Sequence, residues 1–304
     1  MTRVIPTHEF ALYSLPGPSP AANGTCPPSF SPARYSRYKY GSVAAAETFA
    51  AALGAAFLER RPELALAPRL LMASSPYKHV PSAATTLARG LRPLLNAARA
   101  RHGLAPAPLL RVDRIGASAG DYGTLSAQAR EQHMAANALS FRQFGPERVR
   151  DAHLLVVDDV RVTGAHQRCL MRASEELPLT ARTFLYIVAF PGCVTGSFDP
   201  AQEDALNHAA VKTLDDLAGI VEAGDFAWNV RVCKFALSPA SHGGLPRFLR
   251  RMPGWFVRGL HRNSCRDGYA RMEPYAPSHA LVRAELSRRA DGRLTACPPA
   301  RQLA

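Results

Sequence analysis

Residues 154–165 read Leu154-Leu155-Val156-Val157-Asp158-Asp159-Val160-Arg161-Val162-Thr163-Gly164-Ala165. The four apolar residues of this stretch predict a buried strand. Two carboxylates, a hydroxyl and a glycine follow, and a helix is predicted to begin at Ala165. Ligands of open parallel sheets bind where the strands end, and the free N–H groups of a helix start favour an anion. The stretch therefore predicts an α/β protein with a site for an anionic ligand.

The chemistry of this acidic loop suits a phosphorylated ribose. Asp158 and Asp159 can accept hydrogen bonds from two ribose hydroxyls if the chain turns at Asp159, because neighbouring side chains of an extended strand point to opposite faces. Gly164 allows the backbone to approach a phosphate closely. The alternative is an ordinary strand-to-helix turn capped by aspartate.

A second strand-to-helix loop lies earlier in the chain. Residues 69–73 (RLLMA) predict a buried strand, and Ser82 is predicted to cap a helix that runs toward Arg101 and breaks near Pro93. The loop between them, residues 74–81 (SSPYKHVP), contains Lys78, one of only four lysines in the chain. Positive charge and backbone N–H groups together suit a pyrophosphate. The alternative for Lys78 is a solvated loop charge.

Both loops resemble motifs of one enzyme family. The acidic loop resembles the phosphoribosyl-pyrophosphate signature of type I phosphoribosyltransferases: four apolar residues, two acids, two apolar residues, two small or hydroxyl residues, then glycine. It departs from that signature at Arg161, usually apolar, at Val162, commonly threonine, and at His166, often Thr or Ser. The earlier loop is similar to the pyrophosphate loop of orotate phosphoribosyltransferases, with His79 in place of glycine. The two loops follow the family's order, and the resemblance covers residues 35–195.

This resemblance implies a parallel-sheet α/β core and an activity. The activity is magnesium-dependent transfer of phosphoribose from 5-phosphoribosyl-1-pyrophosphate (PRPP) to a small nitrogenous acceptor, which releases pyrophosphate. Asp158, Asp159 and Lys78 are implied at the reacting centre, with magnesium held through the donor or water. The implied substrate contacts are Ser75, Tyr77, Lys78, His79, Asp158, Asp159, Val162, Thr163, Gly164, Ala165 and His166.

Type I enzymes also close a flexible loop over the site, which excludes water. Residues 116–130 are the candidate for such a loop, with Tyr122 and Arg130 as its contacts. A surface loop without function is the alternative. The overall layout, with residues 35–41 (YSRYKYG) as lead-in and a long C-terminal extension, also resembles the bacterial phosphoribosyltransferases of tellurium-resistance and stress gene clusters. This resemblance implies a role in nucleotide metabolism or stress response.

Along its length the chain is predicted to have three parts. Residues 1–34 are an irregular lead-in, residues 35–199 are the phosphoribosyltransferase-like core, and residues 200–304 are a mainly helical C-terminal extension that can form an acceptor hood. Patterning predicts further helices at 43–60, 126–144, 165–177 and 201–223, and further strands at 9–15, 109–115, 183–190 and 230–237.

The charge of the chain leaves a second function open. A formal net charge of +13 favours anionic partners, either phosphorylated metabolites or nucleic acid. Residues 246–271 hold seven arginines and one acid, interleaved with Phe248, Trp255, Phe256 and Tyr269. The alternative is therefore a non-catalytic regulator that senses PRPP and binds nucleic acid through this region. The near-helical spacing of its apolar residues favours packing instead, so nucleic acid is not an expected partner.

Composition sets the remaining expectations. The six cysteines are scattered with no two at metal-ligand spacing, so neither zinc nor a disulfide framework is expected. No apolar run is long enough to span a bilayer, and the first residues lack the apolar stretch of a secretory signal. A cytoplasmic protein without a membrane partner is predicted, and a homodimer is compatible with the sequence.

Overall fold

The computed structural model describes residues 4–15, 29–115, 138–141, 145–190 and 200–295. The strands are β1 (Thr7–Ser14), β2 (Leu70–Ser74), β3 (Leu109–Leu110), β4 (Asp113–Ile115), β5 (Ala138–Ser140), β6 (Ala152–Val157), β7 (Val160–Arg161) and β8 (Leu179–Ala189). The helices up to Asn207 are α1 (Pro32–Lys39), α2 (Val43–Arg60), α3 (Pro62–Ala65), α4 (Ala83–Arg101), α5 (Pro146–Val149), α6 (Ala165–Ala173) and α7 (Pro200–Asn207). Those beyond it are α8 (Leu214–Glu222), α9 (Val230–Leu237), α10 (Leu245–Arg251), α11 (Gly254–Asp267) and α12 (Ala276–Thr295).

The central sheet confirms the predicted α/β class. Its strands run in the order β1-β8-β6-β2-β3 with parallel pairing throughout, and β7 also pairs with β8. Every residue of β2 and β6 is buried, as a parallel sheet covered on both faces requires. Leu155 and Val157 of β6 join the core under α2 and α4, and Leu154 and Val156 face the opposite core. Successive side chains of β6 therefore point to opposite faces of the sheet, and this fixes the orientation of the strand at the start of the acidic loop.

Several local predictions hold and others are wrong. Ser42 caps α2, since its hydroxyl accepts the N–H of Ala45. Ser82 occupies the N-cap position of α4 without a side-chain capping bond, and α4 continues through Pro93 instead of breaking. Residues 138–140, predicted to be helical, form β5, which pairs antiparallel with β4. The predicted strand at 109–115 is divided into β3 and β4.

The C-terminal extension has a hydrophobic core of its own. Residues 230–237, predicted to be a strand, form α9, because Asn229 caps them and Val232, Cys233, Ala236 and Leu237 are buried along one helix. The predicted helix at 201–223 is two helices, α7 and α8. The arginine-rich region packs largely as expected: Phe248, Leu249, Met252, Phe256 and Leu260 are buried, but Trp255 is 46% exposed.

The candidate flexible loop and most of one predicted helix fall on residues that the structure does not describe, and the possibility of a membrane span can be examined only for the described ranges. Tyr122 and Arg130 lie outside the described residues, as do residues 126–137 and 142–144 of the predicted helix at 126–144. No single helix of the described ranges is both long and apolar enough to cross a bilayer. Helices α1 and α2 reach that length and composition only as a pair, and they meet at a bend of 118°.

A buried histidine in β6 makes stability depend on pH. His153 Nε2 lies 2.7 Å from the hydroxyl of Thr183, and burial together with His8 lowers the pKa of His153 from 6.5 to about 4. As the pH falls, His153 becomes protonated in the unfolded chain before it does in the folded protein. The stability that the neutral His153 contributes is therefore complete above pH 6.5 and is lost as the pH falls toward 4.

We expect the wild type to lose about 2 kcal/mol more unfolding free energy than His153→Gln between pH 7 and pH 5. Glutamine keeps a hydrogen-bonding group beside Thr183 but does not titrate. Denaturant unfolding of both proteins at the two pH values measures the difference. Equal losses in the two proteins would mean that the pKa of His153 is the same in the folded and unfolded states, and would contradict this prediction.

Candidate active site

The two predicted loops meet at one cavity of about 500 Å³. Serine and lysine from the loop after β2 face it together with the acids from the loop after β6. The predicted site residues that line it are Ser75, Tyr77, Lys78, Asp158, Asp159, Val162, Thr163, Gly164, Ala165 and His166. His79 does not line the cavity: its side chain is exposed.

All four lysines of the chain line this same cavity. Lys39 comes from α1, Lys78 from the loop after β2, and Lys212 and Lys234 from the C-terminal extension. Arginine carries the rest of the Lys+Arg total of 37. Four rare residues from distant parts of the sequence thus converge on one space, which gives the cavity the positive charge that a polyphosphate needs.

The first acid, Asp158, is held by a network of hydrogen bonds. Its Oδ1 accepts the Ser75 hydroxyl and, at 2.9 Å, the backbone N–H of Asp159. Its Oδ2 lies 2.8 Å from Nδ1 of His166. Burial works against the charged form, yet His166 and these hydrogen bonds hold the pKa of Asp158 below its ordinary value. Asp158 is therefore an oriented carboxylate at neutral pH.

The second acid, Asp159, forms a buried ion pair with Lys39. Its Oδ2 lies 2.5 Å from the Lys39 ammonium, and the two side chains are 12% and 8% exposed. Burial raises the pKa of Asp159, and the charge of Asp158 adds to this rise while Lys39 opposes it. Lys39 is thus the counter-ion that keeps a second carboxylate charged beside the first.

Local structure fixes Lys39 at the end of α1. The carbonyl of Lys39 accepts a hydrogen bond of 3.1 Å from the Asn229 side chain. Gly41 follows in a left-handed conformation, with φ of +96°, and a Cβ there would lie 2.5 Å from the carbonyl oxygen of Ala227. The backbone N–H of Ala227 also donates to the carbonyl of Gly41. The extension therefore holds the turn that aims Lys39 into the cavity.

The start of α6 presents the anion-binding groups expected of the acidic loop. Gly164 is the N-cap in a left-handed conformation, with φ of +74°. The hydroxyl of Thr163 lies 3.4 Å from the N–H of Ala165. His166 donates Nδ1–H to Asp158, and its Nε2 has no hydrogen-bond partner among the described residues. That atom can donate to a phosphate when the ring is an imidazolium.

The loop after β2 is secured from both sides. The guanidinium of Arg111 lies 4.6 Å from the Tyr77 ring centroid and donates to the carbonyl of Lys78. On the other side, Asp267 of α11 accepts the backbone N–H groups of His79 and Val80 at 3.0 and 3.1 Å. A carboxylate from the extension thus occupies two N–H groups of the predicted pyrophosphate loop.

Aromatic rings, three of them from the extension, also line the cavity. The Tyr40 hydroxyl lies 2.7 Å from Nε2 of His208, and its ring packs edge-on against Phe235 at 4.8 Å. The Lys234 ammonium lies 5.9 Å from the ring centroid of Tyr269. We refer to Tyr40, His208, Phe235 and Tyr269 as the aromatic wall.

A parallel sheet that brings paired acids and a lysine loop to one cavity defines a protein of the type I phosphoribosyltransferase class. The family model described as PRTase ComF-like matches residues 8–282, and the chain belongs to this family. A crystal structure of hypoxanthine phosphoribosyltransferase from Staphylococcus aureus is also similar, with 10% identity and a TM-score of 0.33. That match covers 52% of this chain and 71% of the other. No curated protein matches the chain.

Sequence reasoning missed Lys39, Lys212, Lys234 and Asp267 as residues of the cavity. The rarity of lysine in an arginine-rich chain was the available signal for the first three. Asp267 carries no such signal, because it is a single acid in a run of arginines. Its importance comes from a contact across 188 residues of sequence.

Proposed function

We propose that this chain binds PRPP with magnesium in the described cavity and transfers its phosphoribose to a nitrogenous acceptor. The convergence of Asp158, Asp159 and all four lysines on one space is the observation that carries this proposal. In the transfer, the bond between the anomeric carbon and pyrophosphate breaks, and a bond to the acceptor nitrogen forms. Pyrophosphate leaves with the bonding electrons.

Each part of the site has a role in that reaction. Asp158 and Asp159 accept the ribose hydroxyls and stabilise positive charge that develops at the anomeric carbon. The N-terminus of α6, with Thr163 and His166, holds the 5′-phosphate. Lys78 faces the leaving pyrophosphate and neutralises its growing charge.

The donor set of the cavity fits magnesium held through the ligand. Carboxylate oxygens suit this cation, which keeps several waters and prefers to share a few carboxylates with substrate phosphates. Both oxygens of Asp158 are engaged by His166, Ser75 and a backbone N–H, and Oδ2 of Asp159 by Lys39. The two acids would therefore reach magnesium through water and donor oxygens, where the bound cation supplies charge neutralisation.

The aromatic wall is the proposed acceptor side. The half-buried rings of His208 and Phe235 offer a surface on which a planar nitrogenous ring can stack, while Tyr40 and Tyr269 are buried. Three of the four rings belong to the extension, which supports the role of an acceptor hood for that region.

Pyrophosphate detection with PRPP and a panel of nitrogenous bases tests the proposal. We expect release of pyrophosphate with one chemical class of acceptor, and none without magnesium. PRPP binding without release for any acceptor, combined with salt-sensitive binding of DNA or RNA, would favour a PRPP-sensing regulator instead. The packing of residues 246–271 argues against a nucleic-acid surface there, because Phe248 and Phe256 are buried, Arg251 is paired with Glu222 and Asp215, and Trp255 alone among the aromatic residues of this segment is exposed.

We expect Lys78 to act on pyrophosphate and not on the 5′-phosphate. Lys78→Ala should weaken binding of pyrophosphate and of PRPP by about 10–100-fold, the value of one hydrogen bond between charged groups. Ribose 5-phosphate should bind almost as before. Calorimetry with the three ligands measures this, with Arg101→Ala, an exposed charge at the far end of α4, as the control. Equal losses for all three ligands would give Lys78 a different role.

A further inference from the structure

Two helices of the extension bring together a histidine–cysteine–histidine cluster that the phosphoribosyl chemistry does not use. His261 and Cys265 lie one turn apart on α11, and His279 lies near the start of α12. The three side chains place one potential ligand atom each within 4.8 Å of one another. The cluster contains a single cysteine, so the spacing of the cysteines, which led to the expectation of no zinc, does not reveal it.

The distances within the cluster match a tetrahedral metal site. With metal–nitrogen bonds of about 2.0–2.1 Å and a metal–sulfur bond of about 2.3 Å, sulfur and nitrogen lie about 3.5 Å apart in such a site. Here Sγ of Cys265 is 3.8 Å from Nε2 of His261 and 3.4 Å from Nε2 of His279. Both imidazole rings thus direct the same ring nitrogen at the one sulfur.

The ring arrangement supports a common ligand point. The rings of His261 and His279 are stacked, with centroids 5.1 Å apart and planes inclined by 20°. His279 is buried, His261 is half-buried and Cys265 is exposed. Two ligands are therefore held by packing, and the third leaves an open path by which a cation can enter.

We propose that His261, Cys265 and His279 bind a divalent cation of the zinc class. One thiolate and two imidazoles form a ligand set typical of zinc, and three protein ligands leave a fourth position for water. The thiolate offsets half of the cation's charge. The exposed Arg283, one turn beyond His279, opposes the cation.

Such a site would join α11 and α12 next to the candidate active site. Cys265 lies two residues before Asp267, whose carboxylate accepts the N–H groups of His79 and Val80. A metal bound to Cys265 would fix the last turn of α11, and with it the contact between the extension and the loop after β2. Metal binding is nevertheless measured without PRPP, so its outcome is independent of the proposed transferase activity.

Cobalt titration of the full-length chain, stripped of metal by a chelator, tests the proposal. We expect one equivalent of Co²⁺ per chain with a thiolate-to-cobalt charge-transfer absorption, which Zn²⁺ then displaces. This absorption reports a sulfur ligand, so Co²⁺ held by the carboxylates of the active site does not produce it. Absence of the absorption in the wild type would overturn the proposal.

Two variants locate the bound cation. Cys265→Ser, at an exposed position, should lose the absorption. Loss of a residue that only hydrogen-bonds to a metal ligand lowers metal affinity by roughly 10–100-fold. Because Cys265 is itself a proposed ligand, the Zn²⁺ affinity of Cys265→Ser should fall by more than this. His261→Ala should also lose most of the affinity, and circular dichroism of each variant establishes that it is folded. Cys297→Ser and His102→Ala serve as controls and should bind as the wild type does. Wild-type binding by folded Cys265→Ser would contradict the site.

Discussion

Replacing both acids of the strand-end loop is expected to abolish magnesium-dependent binding of PRPP. In the variant Asp158→Asn with Asp159→Asn, the ribose hydroxyls lose two charged acceptors, each worth about 1.5–3 kcal/mol. The affinity for PRPP should therefore fall by at least about 100-fold. Titration calorimetry at saturating magnesium measures the loss.

The buried pair between Asp159 and Lys39 decides how this experiment is controlled. Asp159→Asn leaves the Lys39 ammonium buried without its counter-ion, so the double variant should also be less stable. Asp158→Asn alone avoids this, because the amide oxygen can still accept from Ser75 and Asp159, and the other imidazole tautomer of His166 can accept from the amide nitrogen at Nδ1. The single variant should be stable and bind PRPP about tenfold or more weakly.

A matched pair of exposed acids provides the control for charge. Glu175→Gln with Glu176→Gln removes the same charge from an exposed position outside the cavity. This control should bind PRPP as the wild type does. Unchanged PRPP affinity in folded Asp158→Asn with Asp159→Asn would remove the acidic loop from the site.

Loss of Lys39 is expected to produce the largest change in stability. Lys39→Met removes one partner of a buried ion pair and leaves Asp159 uncompensated, which costs about 3–5 kcal/mol. Burial and Asp158 already raise the pKa of Asp159, and without Lys39 this pKa rises further. The destabilisation should therefore be full at pH 8 and should diminish as the pH falls and Asp159 takes up a proton.

The double variant Lys39→Met with Asp159→Asn separates the ion pair from the packing of the side chain. It should regain most of the lost stability, because neither partner is then charged. Lys212→Met, an exposed lysine of the same cavity, should change stability by no more than about 0.5 kcal/mol. Denaturant unfolding of the wild type, Lys39→Met, Asp159→Asn and the double variant completes the cycle. A Lys39→Met protein as stable as the wild type, or no recovery in the double variant, would contradict the structural role of this pair.

The elements that the sequence predicted well are those defined by local pattern. Strand β6 is buried throughout and is apolar except at His153, and the residues after it have the turn chemistry of a strand-to-helix loop. Residues 230–237 were misassigned because valine recurs at alternate positions, whereas Asn229 and the spacing of Val232, Cys233 and Ala236 favour a helix once a core covers one face.

The parts of the site that the sequence did not predict depend on contacts between distant residues. Lys39 meets Asp159 across 120 residues, and Asp267 meets His79 across 188. Neither pair leaves a periodic pattern or a short motif. The first depends on how the end of α1 lies against the loop after β6, and the second on how the extension packs on the core. The His261–Cys265 spacing of one helical turn is local, but His279 joins them only through the packing of α12 on α11.

Equilibrium dialysis of the wild-type chain against labelled PRPP, with and without magnesium, tests the proposed donor site most directly. We expect saturable binding of one PRPP per chain in the presence of magnesium, and loss of that binding when the cation is chelated. Excess pyrophosphate and excess ribose 5-phosphate should each compete, because each occupies one half of the same cavity. Absence of saturable PRPP binding with magnesium, or binding that neither ligand displaces, would contradict the proposed site.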